Sequence, residues 1–255
     1  MFRVAIPARH ASTRLPGKPL ALLAGTPMIL HVHRLAQRSG ASEVVVATDD
    51  ERIQAVCAAA GVDVEMTAGT HASGTDRIAE LAGRRGWAHD SIVVNVQGDE
   101  PMLPPALIGQ AAALLAANPQ AAIATLATPV ATLEEYLDPN VVKVVTRGDG
   151  QAFYFSRAPI PWERDGTDSA SATAKRHRGA RRHLGIYAYR VSALRAMAAT
   201  PATSLERCEQ LEQLRALEMG LVIVVADAAE RPGPGVDTAE DLARVESLLR
   251  GGGHR

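Results

Sequence analysis

The chain has 255 residues, 47% of them hydrophobic but only 4% aromatic, and its 27 Lys and Arg nearly cancel 28 Asp and Glu. That length suits one large domain or two small ones, and it buries enough surface to fold without a disulfide or metal staple. A net charge of −1 argues against a bulk nucleic-acid binder, which carries a basic excess, and many short apolar runs exclude wholesale disorder.

Strands and helices alternate along the first half. Arg3–Pro7 reads as a short strand that runs into a polar loop. Thr26–Ser39 reads as a helix with Pro27 in its first turn, stopped by Gly40. The β-branched run Glu43–Thr48 is a strand, and Asp49 and Asp50 open a helix reaching about Ala60. Val62–Met66 and Ser91–Val96 are strands on either side of a helix over Ser73–Arg85. Pro104–Ala117 is a helix and Ala121–Ala127 a strand. Short buried apolar runs separated by helices predict a mostly parallel sheet covered on both faces, with ligands bound beyond the carboxyl ends of its strands.

The second half changes character. Val141–Thr146 and Ala152–Ser156 flank Arg147-Gly148-Asp149-Gly150, a hairpin signal. Leu184–Arg190 and Leu221–Val225 are further strands, and Ser204–Gly220 and Thr238–Leu249 are helices. Residues 165–182 hold no apolar run and predict a mobile loop, whose basic stretch, Lys175–His183, is a solvated face or, alternatively, a lid that draws in an anion. The expected organisation is one domain over 1–250, with 141–190 as an extension and 251–255 as a flexible tail.

Cys57 and Cys208 lie far apart, without a neighbouring Cys or His. This is neither a disulfide framework nor a zinc signature, and it suits a reducing cytoplasm. The most apolar stretch, 111–127, is broken by Asn118-Pro119-Gln120 and is too short for a membrane span. Only three of the basic residues are lysines: Lys18, Lys143 and Lys175. Against an Arg-rich background, a retained Lys hints at a site needing a compact ammonium.

Five polar clusters carry possible chemistry. Pro7–Lys18 follows the first strand with three basic side chains, two hydroxyls and a glycine, either a triphosphate cradle, though of neither the Walker nor the dinucleotide glycine pattern, or an ordinary solvated loop. Val93–Pro101 delivers Asp99 and Glu100 to the sheet's carboxyl edge, where a carboxylate can hold Mg²⁺ with substrate phosphates; alternatively the pair only turns the chain and caps the next helix. Asp237, in Gly233–Asp241, is either a second metal ligand or the cap of the final helix, with Glu240 completing a box-like pattern. His71–Arg77 opens a helix and either cradles a base or phosphate or is capped by Ser73. The run Lys175–His183 is either a solvated face or a lid. His31 and His33 flank Val32 on a helix, diverge, and read as ordinary histidines rather than ligands.

The clusters occur in a telling order: Ile6–Arg9, Ser12–Leu20, Val46–Asp49, Ser73–Arg77, Val94–Pro101, Asn140–Val145, Tyr154–Trp162, Arg182–Tyr187, Leu211–Arg215 and Gly235–Thr238. Across about residues 3–249 the chain resembles the 3-deoxy-manno-octulosonate cytidylyltransferases, also known as CMP-Kdo synthetases. Ser-Thr-Arg-Leu-Pro-Gly-Lys and Gln-Gly-Asp-Glu-Pro are the most specific of these motifs. The resemblance implies an α/β/α three-layer nucleotidyltransferase sandwich, with a mixed-sheet dimerisation extension and a homodimer formed through Val141–Trp162. It implies a cytoplasmic enzyme of lipopolysaccharide biosynthesis that converts CTP and Kdo to CMP-Kdo and pyrophosphate with Mg²⁺, without nucleic acid or membrane as partner. It gives catalytic roles to Lys18, Asp99 and Asp237, with Asp99 and Asp237 on the metal and a second Mg²⁺ on the triphosphate. Arg9, Arg14 and Lys18 would hold the triphosphate. Ala8, Ser73, Gly74, Arg77 and Gln97 would take the base and ribose. Arg157, Arg164, His183, Tyr187, Glu212 and Gln213 would take the sugar. His10 departs from the apolar or aromatic residue often found at its position. The alternatives are a cytidylyltransferase for 8-amino-Kdo or another acidic sugar, a glycosyltransferase, and a silent binding module.

Overall fold

The computed structural model describes residues 1–11, 15–71, 73–164 and 177–251. In chain order the elements are β1 (Arg3–Ala8), a 3₁₀ turn (Lys18–Leu20), β2 (Leu22–Leu23), β3 (Thr26–Pro27), α1 (Met28–Gln37), β4 (Glu43–Thr48), α2 (Glu51–Ala59), β5 (Val64–Met66) and α3 (Gly74–Arg84). Next come β6 (Ile92–Asn95), α4 (Pro105–Ala117), β7 (Ile123–Pro129), α5 (Leu133–Leu137), β8 (Lys143–Thr146), β9 (Ala152–Ser156) and β10 (Arg181–Arg190). The chain ends with α6 (Val191–Ala199), α7 (Ser204–Glu209), α8 (Gln213–Glu218), β11 (Ile223–Asp227) and α9 (Ala239–Gly251).

The main sheet runs β11-β7-β10-β6-β1-β4-β5, with β8 and β9 attached beside β10. Pairings of β1 with β4 and β6, of β4 with β5, and of β7 with β11 are parallel, whereas β10 lies antiparallel to both β6 and β7. Side chains alternate as a pleated sheet requires. Val4, Ile6, Val46 and Val94 face α1, α2 and α4, while Ala5, Val45, Ala47 and Val93 face α3 and α6. This is the predicted three-layer sandwich. Its strands are apolar on both faces because both are covered.

Four expectations change. Thr26 and Pro27 pair with Leu22 and Leu23 in a ribbon, so α1 begins only at Met28 with Pro27 as its N-cap. The helix expected over Ser204–Gly220 is two helices, because Gln210 takes a left-handed conformation at φ 54°. A capping box between Thr203 and Glu206 caps the start of the first, and a buried ion pair joins Arg215 of the second to Glu206 of the first. The loop expected through Arg182 ends sooner, since β10 starts at Arg181. Its 165–176 segment, with Lys175, lies outside the described residues. The 141–190 stretch is also divided, with β8 and β9 at the side of the sheet and β10 at its centre.

Candidate active site

The carboxyl ends of β1 and β6, the start of α3, the middle of β10 and the α7–α8 junction surround a cavity of about 720 Å³. At one side three charged groups converge. Lys18 Nζ donates to Asp99 Oδ2 at 2.5 Å and to Asp237 Oδ1 at 3.1 Å. Burial lowers the pKa of this ammonium, but the two carboxylates outweigh that and raise it above its ordinary value. Burial and the same carboxylates push Glu100 up to about 7.

Backbone, not side-chain capping, sets this convergence. Gly98 passes β1 so closely that a Cβ there would lie 3.1 Å from the Pro7 carbonyl oxygen. The helix after Asp99 and Glu100 has no side-chain cap, so the capping part of the bland reading fails, although the segment does turn the chain, with Glu100 N–H donating to the Gln97 carbonyl at 3.2 Å. At the other carboxylate the cap is Thr238, not Asp237. The Thr238 hydroxyl accepts from Asp241 N–H at 3.2 Å, and Asp241 Oδ2 accepts from Thr238 N–H at 3.0 Å. Asp237 is thereby left to face Lys18. Among the described residues no three His, Cys, Asp or Glu side chains form a metal cage. Two carboxylates that share one cation still form the donor set Mg²⁺ takes when phosphates supply its other ligands.

Ala8, Arg9, Gly74, Arg77 and Gln97 line the cavity beside Lys18. Arg9 is exposed, whereas Arg77 is buried and its guanidinium binds Asp49 Oδ2 at 2.9 Å and the Thr67 hydroxyl, so it braces the wall. Ser73 is not on the lining. It caps α3, accepting from Asp76 N–H at 3.2 Å. Arg14 lies outside the described residues. His10 packs on Gly17, whose N–H donates to the His10 carbonyl at 3.1 Å and whose φ of 70° suits glycine.

His183, Tyr187, Glu212 and Gln213 also line the cavity. A bulge presents the first two: Leu184 pairs with Leu126 but Tyr187 pairs with Thr125, so Gly185 and Ile186 are extra. The buried Thr125 hydroxyl donates into this bulge, 2.7 Å from the Ile186 carbonyl, and accepts from His183 Nε2 at 2.9 Å. Burial pushes His183 down to about 3, so the ring is neutral. Burial and acidic neighbours raise Glu212, opposed by a hydrogen bond from Thr75. Arg157 and Arg164 do not line the cavity. The Arg157 guanidinium is engaged by the carbonyls of Glu209 and Pro139, at 2.6 and 3.0 Å, because it ties β9 to the α7 end. Arg164 is an exposed turn residue.

Sequence reasoning missed Thr75, Asn95, Arg182 and Tyr189 on the lining. Period-two alternation carries the signal for Tyr189, which shares a face with Tyr187 at a ring separation of 5.6 Å. Asn95 ends the strand that leads to Asp99.

Residues 4–223 match the family model described as Cytidylyltransferase. A 3-deoxy-manno-octulosonate cytidylyltransferase of Thioalkalivibrio sulfidiphilus is 55% identical over 98% of this chain and 99% of its own. One of Halorhodospira halophila is 52% identical over 98% and 97%. The solved structure of CMP:2-keto-3-deoxy-manno-octonic acid synthetase complexed with CTP superposes with a TM-score of 0.88 at 38% identity, covering 99% of this chain and 100% of that one. A cytidylyltransferase of Leptospira borgpetersenii, at 17% identity and a TM-score of 0.62, shares the fold over 97% of this chain and 85% of its own. The chain is a nucleotidyltransferase that belongs to the 3-deoxy-manno-octulosonate cytidylyltransferase family.

Proposed function

We propose that the enzyme joins CTP to Kdo, releasing pyrophosphate and forming CMP-Kdo for lipopolysaccharide assembly. The observation that carries the reading is the convergence of Asp99, Asp237 and Lys18 on one wall of a cavity of about 720 Å³. The names of the relatives, at over half identity, support the choice of substrates.

The anomeric hydroxyl of Kdo attacks the α-phosphorus of CTP in line, a P–O bond forms as the hydroxyl proton is released to solvent, and the bond to the β-phosphate oxygen breaks with its electron pair leaving on pyrophosphate. Such transfers rest on positioning and charge neutralisation more than on covalent work by the protein. Lys18 and Arg9 neutralise the triphosphate, with Lys18 held as a point charge at the carboxylates. Ala8, Gly74 and Gln97 shape the nucleotide side, and Arg77 fixes that wall. His183, Tyr187, Glu212 and Gln213 offer neutral and acidic hydrogen-bonding groups to the sugar's hydroxyls. Asp99 and Asp237 are the residues that would hold Mg²⁺. Bound there, the metal offsets phosphate charge and acidifies the attacking hydroxyl.

We place the enzyme in the cytoplasm on its two free cysteines, one of them exposed. Among the described residues no helix is long and apolar enough to cross a membrane. Homodimerisation through the β8–β9 region is supported by Phe153 and Trp162, which leave more than half of their surface exposed there. Product analysis tests the function. A CTP- and Kdo-dependent phosphodiester with the mass of CMP-Kdo supports it, and a product formed only from another acidic sugar overturns the Kdo assignment.

A further inference from the structure

One buried hydroxyl decides what His183 can offer a ligand. Thr125, on β7, has no exposed surface. Its Oγ1 lies 2.7 Å from the Ile186 carbonyl oxygen, 3.1 Å from the Leu184 carbonyl oxygen and 2.9 Å from His183 Nε2. A hydroxyl has one hydrogen and two lone pairs, and a carbonyl oxygen only accepts. The hydrogen therefore points at the carbonyls. Aimed at the ring instead, it would leave both oxygen–oxygen contacts without a hydrogen between them. Oγ1 then accepts from the ring, and Nε2 carries the ring's hydrogen. Burial keeps the ring neutral, so Nδ1 is bare and can only accept.

The ring is held in place but Nδ1 is not sealed. The His183 N–H donates to the Val142 carbonyl at 2.8 Å, and Phe155 meets the ring edge-on at a centroid separation of 5.0 Å. Among the described residues, the side-chain atoms both cut off from solvent and left without a partner are Asn95 Oδ1, His177 Nδ1, Arg181 Nε and Gln213 Nε2. His183 Nδ1 has no partner among the described residues and is not one of these, so it shares in the 9% of surface that the residue keeps. The residue lines the main cavity and a smaller one of about 120 Å³ beside it. A bare ring nitrogen takes a hydroxyl hydrogen. Ionised phosphate and carboxylate oxygens carry none, so the charged ends of a substrate find no partner there.

We propose that Thr125 is a positioning residue for sugar recognition: its hydroxyl fixes His183 in the Nε2–H form and so commits Nδ1 to accept a hydrogen bond from a sugar hydroxyl. This assignment rests on the cytidylyltransferase reading above and takes from it the placement of His183 on the sugar. Thr125 touches no substrate and acts through the ring. Without its hydroxyl, the ring hydrogen is free to move to Nδ1, where the acceptor is lost.

The test reads the ring directly. Long-range proton–nitrogen correlation spectra of histidine-labelled protein show which ring nitrogen carries the hydrogen, with the His183 signals assigned by their loss in His183→Gln. Wild type at neutral pH should show a protonated Nε2 and a bare Nδ1. In Thr125→Val, which keeps the shape, both signals should move toward averaged positions, and Thr125→Ser, which keeps the hydroxyl, should match wild type. Thr125→Ala also lacks the hydroxyl and covers the case in which the valine variant does not fold, with thermal melting as the check. In steady-state pyrophosphate release, the hydroxyl-free variants should raise the KM for Kdo roughly 5- to 20-fold, with kcat and the KM for CTP within about twofold, and Thr125→Ser should restore it. Thr125→Val added to His183→Gln should cost little beyond His183→Gln alone, because the two act as one unit.

A ring hydrogen on Nδ1 in wild type overturns the proposal, and the wild-type spectrum decides that whatever the variants do. Ring signals or a KM for Kdo left unchanged in the hydroxyl-free variants overturn it too. So does a rise confined to CTP, which would move the hydrogen bond to the ribose. If wild type itself releases no pyrophosphate from CTP and Kdo, the underlying reading fails instead, while the spectra still decide the form of the ring.

Discussion

The backbone N–H of Val236 donates to the carbonyl oxygen of Asp99 at 2.9 Å. A second bond, from Gly233 N–H to the Met102 carbonyl at 3.3 Å, continues the contact, so residues 99–102 and 233–236 run against each other as a short zipper. The zipper is what brings Asp99 and Asp237, distant in sequence, to a single ammonium.

The zipper's closeness is testable at Gly233. A Cβ there would lie 2.6 Å from Met102 Cβ, so the two segments must part in Gly233→Ala. The expected outcome is a several-fold rise in the Mg²⁺ concentration giving half-maximal rate, measured by metal titration. Gly148→Ala, where a Cβ meets nothing within 4 Å, should leave it unchanged. Equal behaviour of the two variants would count against positioning by the zipper.

Replacing Lys18 with Met should lower kcat/KM by about 100-fold or more, since a charge between two carboxylates and a triphosphate is lost. Lys18→Arg should recover little, because a planar fork does not substitute for a compact ammonium. Steady-state kinetics at saturating Mg²⁺ decide this, and near-wild-type rates in Lys18→Arg would contradict it.

The neutral His183 predicts an acid sensitivity. Its folded pKa of about 3 lies below the ordinary 6.5, so between those values the unfolded chain binds the extra proton. Stability therefore rises with pH through this window and is lost as pH falls from 6.5 toward 3. Glu100, raised to about 7 from 4.5, acts in the opposite sense between 4.5 and 7, so comparison with a variant is needed. His183→Gln retains a donor for Thr125 and should flatten the acid limb by a few kcal/mol at most, since a tenfold change in proton affinity is worth about 1.4 kcal/mol. Urea midpoints from pH 7 to pH 4 that fall in parallel for both proteins would refute the assignment.

Lys143 is fully buried, and its ammonium donates to three carbonyls, those of Asp138, Val141 and Arg157, at 2.9, 2.5 and 2.6 Å. Lys143→Met leaves all three without this donor and should cost about 3 kcal/mol or more in chemical denaturation, with wild-type substrate affinity in whatever fraction stays folded. A loss below about 1 kcal/mol would show that the carbonyls find other donors.

These residues also mark how far the sequence could be read. Scarcity of lysine singled out both Lys18 and Lys143, because each sits where only a compact donor reaches several oxygens. It did not separate a site lysine from a structural one, since that depends on whether the oxygens are carboxylates or carbonyls. The strands of the parallel half were legible from apolar runs bounded by polar loops. The position of β10 was not, because pairing partners are set by tertiary packing. Arg157 and Glu212 show the same limit within motifs: one is engaged by backbone carbonyls, the other follows the left-handed Gln210 and lines the cavity. Neither outcome is encoded in the local residue pattern.

The most direct test of the shared-metal arrangement is pyrophosphate release from CTP and Kdo by wild type, Asp99→Ala and Asp237→Ala across a Mg²⁺ series, with folding checked by melting. Substrate- and Mg²⁺-dependent release by wild type, with turnover abolished in both folded variants, is the predicted result. Undiminished Mg²⁺-dependent release by either variant would contradict it.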